Sequence, residues 1–71
     1  MVDKRLKTLG INIKSARLKK SISQEELAEL VGISLASMSL IETGKQNTAA
    51  LNLIDIAKAL NVSLDSLTND I

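Results

Sequence analysis

Apolar residues return at three- and four-residue intervals along most of this chain, the spacing of one helix face rather than of a strand. Five such segments are separated by Gly, Ser, Thr and Asn positions that read as helix stops and caps. The first runs from about Lys4 to Lys20, with Leu6, Leu9, Ile13 and Ala16 as its inward stripe. Asp3 is placed to accept from the amides of its first turn. Lys19 and Lys20 fall in its last turn, where cations suit the helix dipole. Gly10 interrupts the stripe at a cost of about 1 kcal/mol, unless another backbone packs closely against it.

The second segment opens on Ser23-Gln24-Glu25-Glu26, a capping box in which Ser23 caps and Glu26 reaches back. Leu27, Ala28 and Val31 form its inward face, and Gly32 ends it. Ser34 caps a third helix from Leu35 to Thr43, with Met38 and Ile41 inward and Gly44 as its stop. Thr48 reads as the cap of a fourth helix, about Ala49 to Leu60. Its inner residues are expected to be Leu51, Ile54, Ala57 and Leu60, with Leu53 a further candidate, and Asn61 a left-handed stop. Ser63 caps a short fifth helix from Leu64 to about Asn69. Five short helices without a strand predict a compact all-α five-helix bundle, with residues 1–71 as a single domain.

Composition narrows the chemistry. The chain has 71 residues, room for one modest core, and its hydrophobic 45% includes no aromatic residue. The core must therefore be Leu, Ile, Val, Ala and Met. With neither Cys nor His, the chain has no thiolate, no imidazole ligand and no usual general base. Each glycine stands alone beside a helix, so no phosphate-cradling loop exists, and the carboxylates are explained by solvated helix faces. These features predict a protein that is not an enzyme and holds no metal or cofactor. No apolar run approaches the roughly 18–20 residues of a membrane span. The segment Met1 to Leu9 lacks the apolar stretch of a signal peptide. The expected location is the cytoplasm, at the nucleoid.

Net charge is only +1, but its distribution is uneven. Residues 1–20 hold Lys4, Arg5, Lys7, Lys14, Arg17, Lys19 and Lys20 against Asp3. The rest holds Lys45 and Lys58 against Glu25, Glu26, Glu29, Glu42, Asp55, Asp65 and Asp70. A basic first helix suits a solvated face, and it equally suits a surface turned to phosphate.

The stretch QEELAELVGISLASMSLIE, residues 24–42, has the layout helix, glycine turn, helix. Ala28 is small where two helices cross, and Ile33, Met38 and Ile41 lock the second helix over the first. An ordinary helical hairpin fits that spacing, and so does a helix-turn-helix whose second helix enters a DNA major groove. More of the chain bears on the choice: Leu9-Gly10, Ile13 and Arg17, then SQEELAELVGIS, then Ile41-Glu42 before Gly44-Lys45, then IAKALNVS at 56–63. In this order and spacing the chain resembles the phage-repressor and Cro domain, also called the xenobiotic-response-element family, over residues 9–67. That resemblance implies a lambda-repressor-like fold with the helix-turn-helix at helices 2 and 3, the motif spanning about residues 24–43. It implies a small transcriptional regulator that binds double-stranded operator DNA, an autoregulating repressor in the simplest case.

Further roles follow from the resemblance alone. Arg17 and Glu42 match a buried ion pair between the first helix and the recognition helix. Ser23 and Gln24 match the helix N-terminus that meets DNA phosphate through backbone amides. Ser34, Leu35, Ala36, Ser37, Ser39 and Leu40 match the groove-facing positions, and Thr43, Lys45, Gln46 and Asn47 the backbone-contacting loop. The family commonly binds as a homodimer; on the last segment Leu64, Leu67 and Ile71 lie at helical spacing, so that Leu64 and Leu67 are candidate contacts, Leu64 as the exposed one and Leu67 equally suited to closing the core.

Two features depart from the family pattern. Base-reading positions commonly carry Gln, Arg, Asn or Thr, whereas Leu35, Ala36 and Leu40 stand here. The following loop carries Lys45 as its one cation. Three readings accommodate this: preference for A/T-rich sites through thymine methyl groups and DNA shape, affinity drawn from dimerisation and the basic first helix, or a recognition face turned to protein binding. The stretch QNTAALNLIDIAKAL is also similar to restriction–modification controllers and to antitoxins of the same fold, which adds a cognate toxin to the partners to be tested. An end at Ile71, just after the fifth segment, suits a complete small regulator and the DNA-binding module of a longer repressor alike.

Overall fold

Residues 3–71 are described by the structure, a computed structural model. Five helices follow one another: α1 (Lys4–Lys19), α2 (Gln24–Val31), α3 (Leu35–Glu42), α4 (Ala50–Leu60) and α5 (Leu64–Leu67). No strand forms among the described residues. Helix starts are set by short polar side chains. Asp3, Ser23, Ser34 and Ser63 each accept a backbone amide of their own first turn. Both halves of the capping box on α2 are present, Ser23 Oγ to the Glu26 amide at 2.9 Å and Glu26 Oε1 to the Ser23 amide at 3.1 Å. At Asp3 the Arg5 side chain adds a further bond, and it holds the carboxyl below its usual range.

Helix ends share one device. After α1, α2, α3 and α4 the chain enters the left-handed region at Ser21, Gly32, Gly44 and Asn61, with φ of 60°, 81°, 75° and 55°. The next amide then bonds back to a carbonyl five residues earlier: Ile22 to Arg17, Ile33 to Ala28, Lys45 to Leu40 and Val62 to Ala57. This is the Schellman arrangement, which satisfies carbonyls that a helix end leaves open. In three of the four cases the residue after the left-handed one, Ile22, Ile33 or Val62, is apolar and packs on the core. The end of α1 shows that the device does not need glycine, and nothing local at Ser21 announces it.

One core serves all five helices. Leu9 and Ile13 of α1 meet Leu27 and Ala28 of α2, Met38 and Ile41 of α3, Ile56, Ala57 and Leu60 of α4, and Leu67 of α5. Asn12 of α1 pins the end of the bundle, its side-chain amide donating to the carbonyls of Leu67 and Asn69 at 2.9 and 2.8 Å.

Three expectations are corrected. Thr48 does not cap α4, whose N-cap is Ala49 without a side-chain bond, and the helix begins at Ala50. The inward stripe is Leu53, Ile56, Ala57 and Leu60; of the expected inner residues Ile54 is only half-buried and outside the core cluster, and Leu51 is 74% exposed. Once Ile56 holds the centre, Leu51 lies five residues back, on the other side of a 3.6-residue turn. The second correction concerns α5, a single turn that ends at Leu67 rather than near Asn69. The third is Leu67 itself, which is fully buried and is therefore no dimer contact; Leu64, on the outer side of the same turn, is 42% exposed.

Gly10 answers the condition attached to it. A Cβ there would lie 2.5 Å from the carbonyl oxygen of Glu42 and 2.6 Å from that of Ile41. The end of α3 thus rests directly on the backbone of α1. Gly44 repeats the contact one turn away, where a Cβ would meet the Lys7 Cα at 2.6 Å. Two glycines thereby let α3 lie against α1 at backbone distance.

Candidate nucleic-acid interface

The two short helices α2 and α3 are joined by Gly32, Ile33 and Ser34. Leu27 and Ala28 on one and Met38 and Ile41 on the other are buried together, which fixes the crossing of the pair. Ala28 leaves room for a close crossing, and Ile33 of the turn packs against the same core while its amide bonds to the Ala28 carbonyl at 3.0 Å.

Beneath α3 lies the buried ion pair. Arg17 Nε donates to Glu42 Oε2 at 2.8 Å and Arg17 Nη2 to Glu42 Oε1 at 3.1 Å, a two-pronged match of fork to carboxylate. The remaining capacity is used locally. Arg17 Nη1 donates to the carbonyl of Ile22 in the α1–α2 link at 2.9 Å, and Gln24 Nε2 donates to Glu42 Oε1 at 3.1 Å. The Arg17 and Glu42 side chains are only 9% and 1% exposed, and no buried side-chain polar atom among the described residues lacks a partner. The ion pair therefore ties four places together: the Glu42 carboxylate joins α1 and the first residue of α2 to the last residue of α3, and the Arg17 guanidinium adds the α1–α2 link. The bond from Gln24 has no local sequence signal. It joins residues 18 apart, whereas the sequence marks Gln24 only as a helix N-terminus.

Outward, α3 presents a different chemistry. Leu35 and Leu40 are 47% and 41% exposed, Ala36 is exposed, and Ser37 and Ser39 are half-buried. The Ser34 hydroxyl accepts the Ser37 amide at 3.0 Å. Thr43 is exposed, and its hydroxyl sits 2.9 Å from the Ser39 carbonyl and 3.2 Å from that of Leu40. After α3, the amides of Lys45 and Gln46 both bond to Leu40 O. Lys45 and Asn47 are exposed and Gln46 is half-buried. Asn47 lines a shallow hollow with Leu6, Leu9, Thr68 and Ile71. At the start of α2, Ser23 and Glu26 are engaged with one another, which leaves the first-turn amides of Gln24 and Glu25 without an intrahelical acceptor. The ends of α2 and α3 that matter here are held in register by Glu42.

No cluster of three or more His, Cys, Asp or Glu side chains suited to a metal ion forms among the described residues. No helix among them is long and apolar enough to cross a membrane.

Comparison with known proteins agrees with this geometry. A family model described as helix-turn-helix matches residues 13–67. The control protein C.SmaI of Serratia marcescens is 37% identical over 59 residues, 83% of this chain and 70% of that protein. The crystal structure of the restriction-modification controller protein C.AhdI from Aeromonas hydrophila superposes with a TM-score of 0.87 at 29% identity, covering 92% of this chain and 98% of that one. The P22 c2 repressor protein, solved in complex with a synthetic operator, gives a TM-score of 0.80 at 32% identity over 89% of this chain and 96% of its own.

Proposed function

We propose a function from one premise: this chain belongs to the helix-turn-helix family whose model matches residues 13–67. It is a DNA-binding transcriptional regulator. In our reading its partner is a double-stranded operator, with α3 laid in the major groove and the start of α2 against the phosphate backbone. The observation that carries this is the split of α3 into a side fixed through Glu42, Met38 and Ile41 and a side left exposed at Leu35, Ala36 and Leu40. A helix held this firmly, with its outer side unoccupied, suits insertion into a preformed groove. Ser34, Ser37, Ser39 and Thr43 share that outer side or its ends. Ser23 and Gln24 present the α2 terminus, while Lys45, Gln46 and Asn47 supply contacts beyond α3.

The chain acts on its own gene in this proposal, as a concentration-controlled repressor, and binds as a homodimer that doubles a weak half-site contact. Leu64 is its exposed contact on α5. Sedimentation of the chain and of Leu64→Glu tests the dimer; a strict monomer at high micromolar concentration, with unchanged DNA affinity in the variant, rejects it.

Similarity to C.SmaI and C.AhdI favours a second, narrower reading: control of a restriction–modification locus. Genes for an endonuclease and a methyltransferase beside this one would support it, and their absence would count against it.

Titration onto the gene's own upstream DNA, with an unrelated duplex as competitor and at two salt concentrations, tests the main reading. A preference for the upstream fragment, with affinity falling as salt rises, is expected. Equal binding to both duplexes overturns autoregulation.

A further inference from the structure

α3 has the sequence LASMSLIE and carries no Arg, Lys, Asn or Gln. Its one charged group, Glu42, is buried, with both oxygens taken by Arg17 and Gln24. The outer arc holds Leu35, Ala36, Ser39, Leu40 and, at the C-cap, Thr43, which at 3.6 residues per turn fall within about 140° of one another. The Thr43 hydroxyl is turned to its own helix, at 2.9 Å from Ser39 O and 3.2 Å from Leu40 O. What α3 offers a groove is thus two isobutyl groups, an alanine methyl and short serine hydroxyls.

Base edges in the major groove make unequal demands on such a surface. Guanine is read by a bidentate cation and adenine by a bidentate amide, while cytosine needs an acceptor for its N4 amine. Neither a cation nor an amide stands on the outer side of α3, and its acceptors are only short serine hydroxyls, which donate as readily as they accept and so do not single out cytosine. A leucine pressed against those polar edges would also strip their water without replacing its hydrogen bonds. The group that matches a leucine is the C5-methyl of a pyrimidine.

We propose that Leu35 and Leu40 read pyrimidine C5-methyl groups in the major groove, and that these methyl contacts set the site preference of the chain. The proposal rests on the DNA-binding reading above. It names the feature that reading leaves open, namely which base-edge group is recognised. Thymine and 5-methylcytosine carry the same methyl at the same place in the groove, so both satisfy the chemistry.

The test begins with selection of binding sites from a random duplex library by the 71-residue chain. Thymines of the best duplex are then replaced singly by deoxyuridine, which deletes the methyl and nothing else. A loss of about fourfold is expected at each contacted thymine, the factor that corresponds to removing one buried methyl group from an apolar contact. In Leu40→Ala the loss should vanish at the same thymine of each half-site while the others persist, and Leu35→Ala should silence a different one in each. Both leucines are exposed, and unchanged melting of the variants checks the fold independently. Substituting a 5-methylcytosine pair at a contacted position distinguishes the two sources. Affinity kept relative to the unmethylated cytosine pair identifies a methyl reader blind to the base, and affinity lost to the same extent with either cytosine identifies a thymine reader; the deoxyuridine losses support the proposal in both cases. Selected sites that bind specifically but ignore every deoxyuridine substitution overturn methyl reading and leave DNA binding standing. A selection that yields no duplex preferred over an unrelated one overturns both.

Discussion

The two sides of α3 follow opposite rules. Inward, every polar atom is committed: Glu42 takes three hydrogen bonds, and its own carbonyl lies where Gly10 has no side chain. Outward, the same eight-residue helix has leucines, an alanine and serines with water on one side. The inner side determines where the helix lies and the outer side does not. A substitution inside is therefore judged by the rest of the protein, and one outside by whatever the helix touches. Function can be changed on the outer side at little cost to folding, because that side contributes little to the folded state.

The hardest way to break the inner side is at Gly10. Overpacking a core costs 1–3 kcal/mol when flexible side chains can yield. Here the atoms in the way are the carbonyls of Ile41 and Glu42, at 2.6 and 2.5 Å from the added Cβ, and backbone at a helix end cannot retreat without losing the ion pair beside it. Gly10→Val is expected to cost more than about 4 kcal/mol, the range reached only by a few specific mechanisms. A domain of this length has about 4–10 kcal/mol in all. Circular dichroism at 25 °C should show a largely unfolded chain. A cooperative melt within a few degrees of the parent would mean that α3 does not press on α1 as described.

Next in size is the buried pair. Glu42→Ala leaves the Arg17 guanidinium buried with only the Ile22 carbonyl, and deprives Gln24 of its acceptor. Removal of one partner of such a pair costs about 3–5 kcal/mol, whereas replacement of both by apolar residues of similar volume is often neutral or stabilising. The expected order in urea unfolding is therefore parent close to Arg17→Met with Glu42→Leu, and Glu42→Ala far below both. If the single variant proves as stable as the parent, the pair is not desolvated. The double variant is the more informative for function. It keeps the packing while removing the tie between Gln24 and α3, so weakened DNA binding in a fully folded protein would assign Glu42 to alignment of the α2 terminus.

This same division decides what could be read in advance. The caps at Ser23, Ser34 and Ser63, and the stops at Gly32 and Asn61, depend on residues within four or five positions of one another, so sequence order alone carries them. At α4 the residue type of Thr48 points to a cap that the helix does not use, and Leu51 lies outside because Ile56, Ala57 and Leu60, rather than Leu51 and Ile54, set the buried side. Ser21 takes a left-handed turn that any reading by residue type assigns to glycine or asparagine. The pairing of Arg17 with Glu42 spans 25 residues. No periodicity or spacing reports a contact of that kind, and it came into view only through resemblance to a family. Gln24 shows the remaining gap. Its backbone position was legible from the cap, but its side-chain bond to Glu42 exists only once α2 and α3 have crossed.

The smallest effect on stability gives the sharpest contrast, because one chemical change can be made on both sides of the bundle. Leu67→Ala and Leu40→Ala remove the same three carbons. Leu67 is fully enclosed, so its removal loses the transfer free energy and leaves a cavity among α1, α4 and α5, about 2–5 kcal/mol. Leu40 is 41% exposed, so less of its surface returns to water and solvent fills the space. Alanine also favours helix slightly more than leucine does. The balance should lie within about 0.5 kcal/mol of zero, the range of ordinary surface positions. Paired urea titrations of the two variants, read beside DNA affinity, then separate structure from recognition. Leu67→Ala should lower the unfolding midpoint strongly and, where still folded, bind DNA as the parent does, whereas Leu40→Ala should keep the midpoint and lose affinity. Equal midpoints would place Leu67 nearer the surface than its geometry allows. A folded Leu40→Ala with undiminished binding would show that the outer side of α3 meets its partner elsewhere, at the serines or along the Lys45–Asn47 loop.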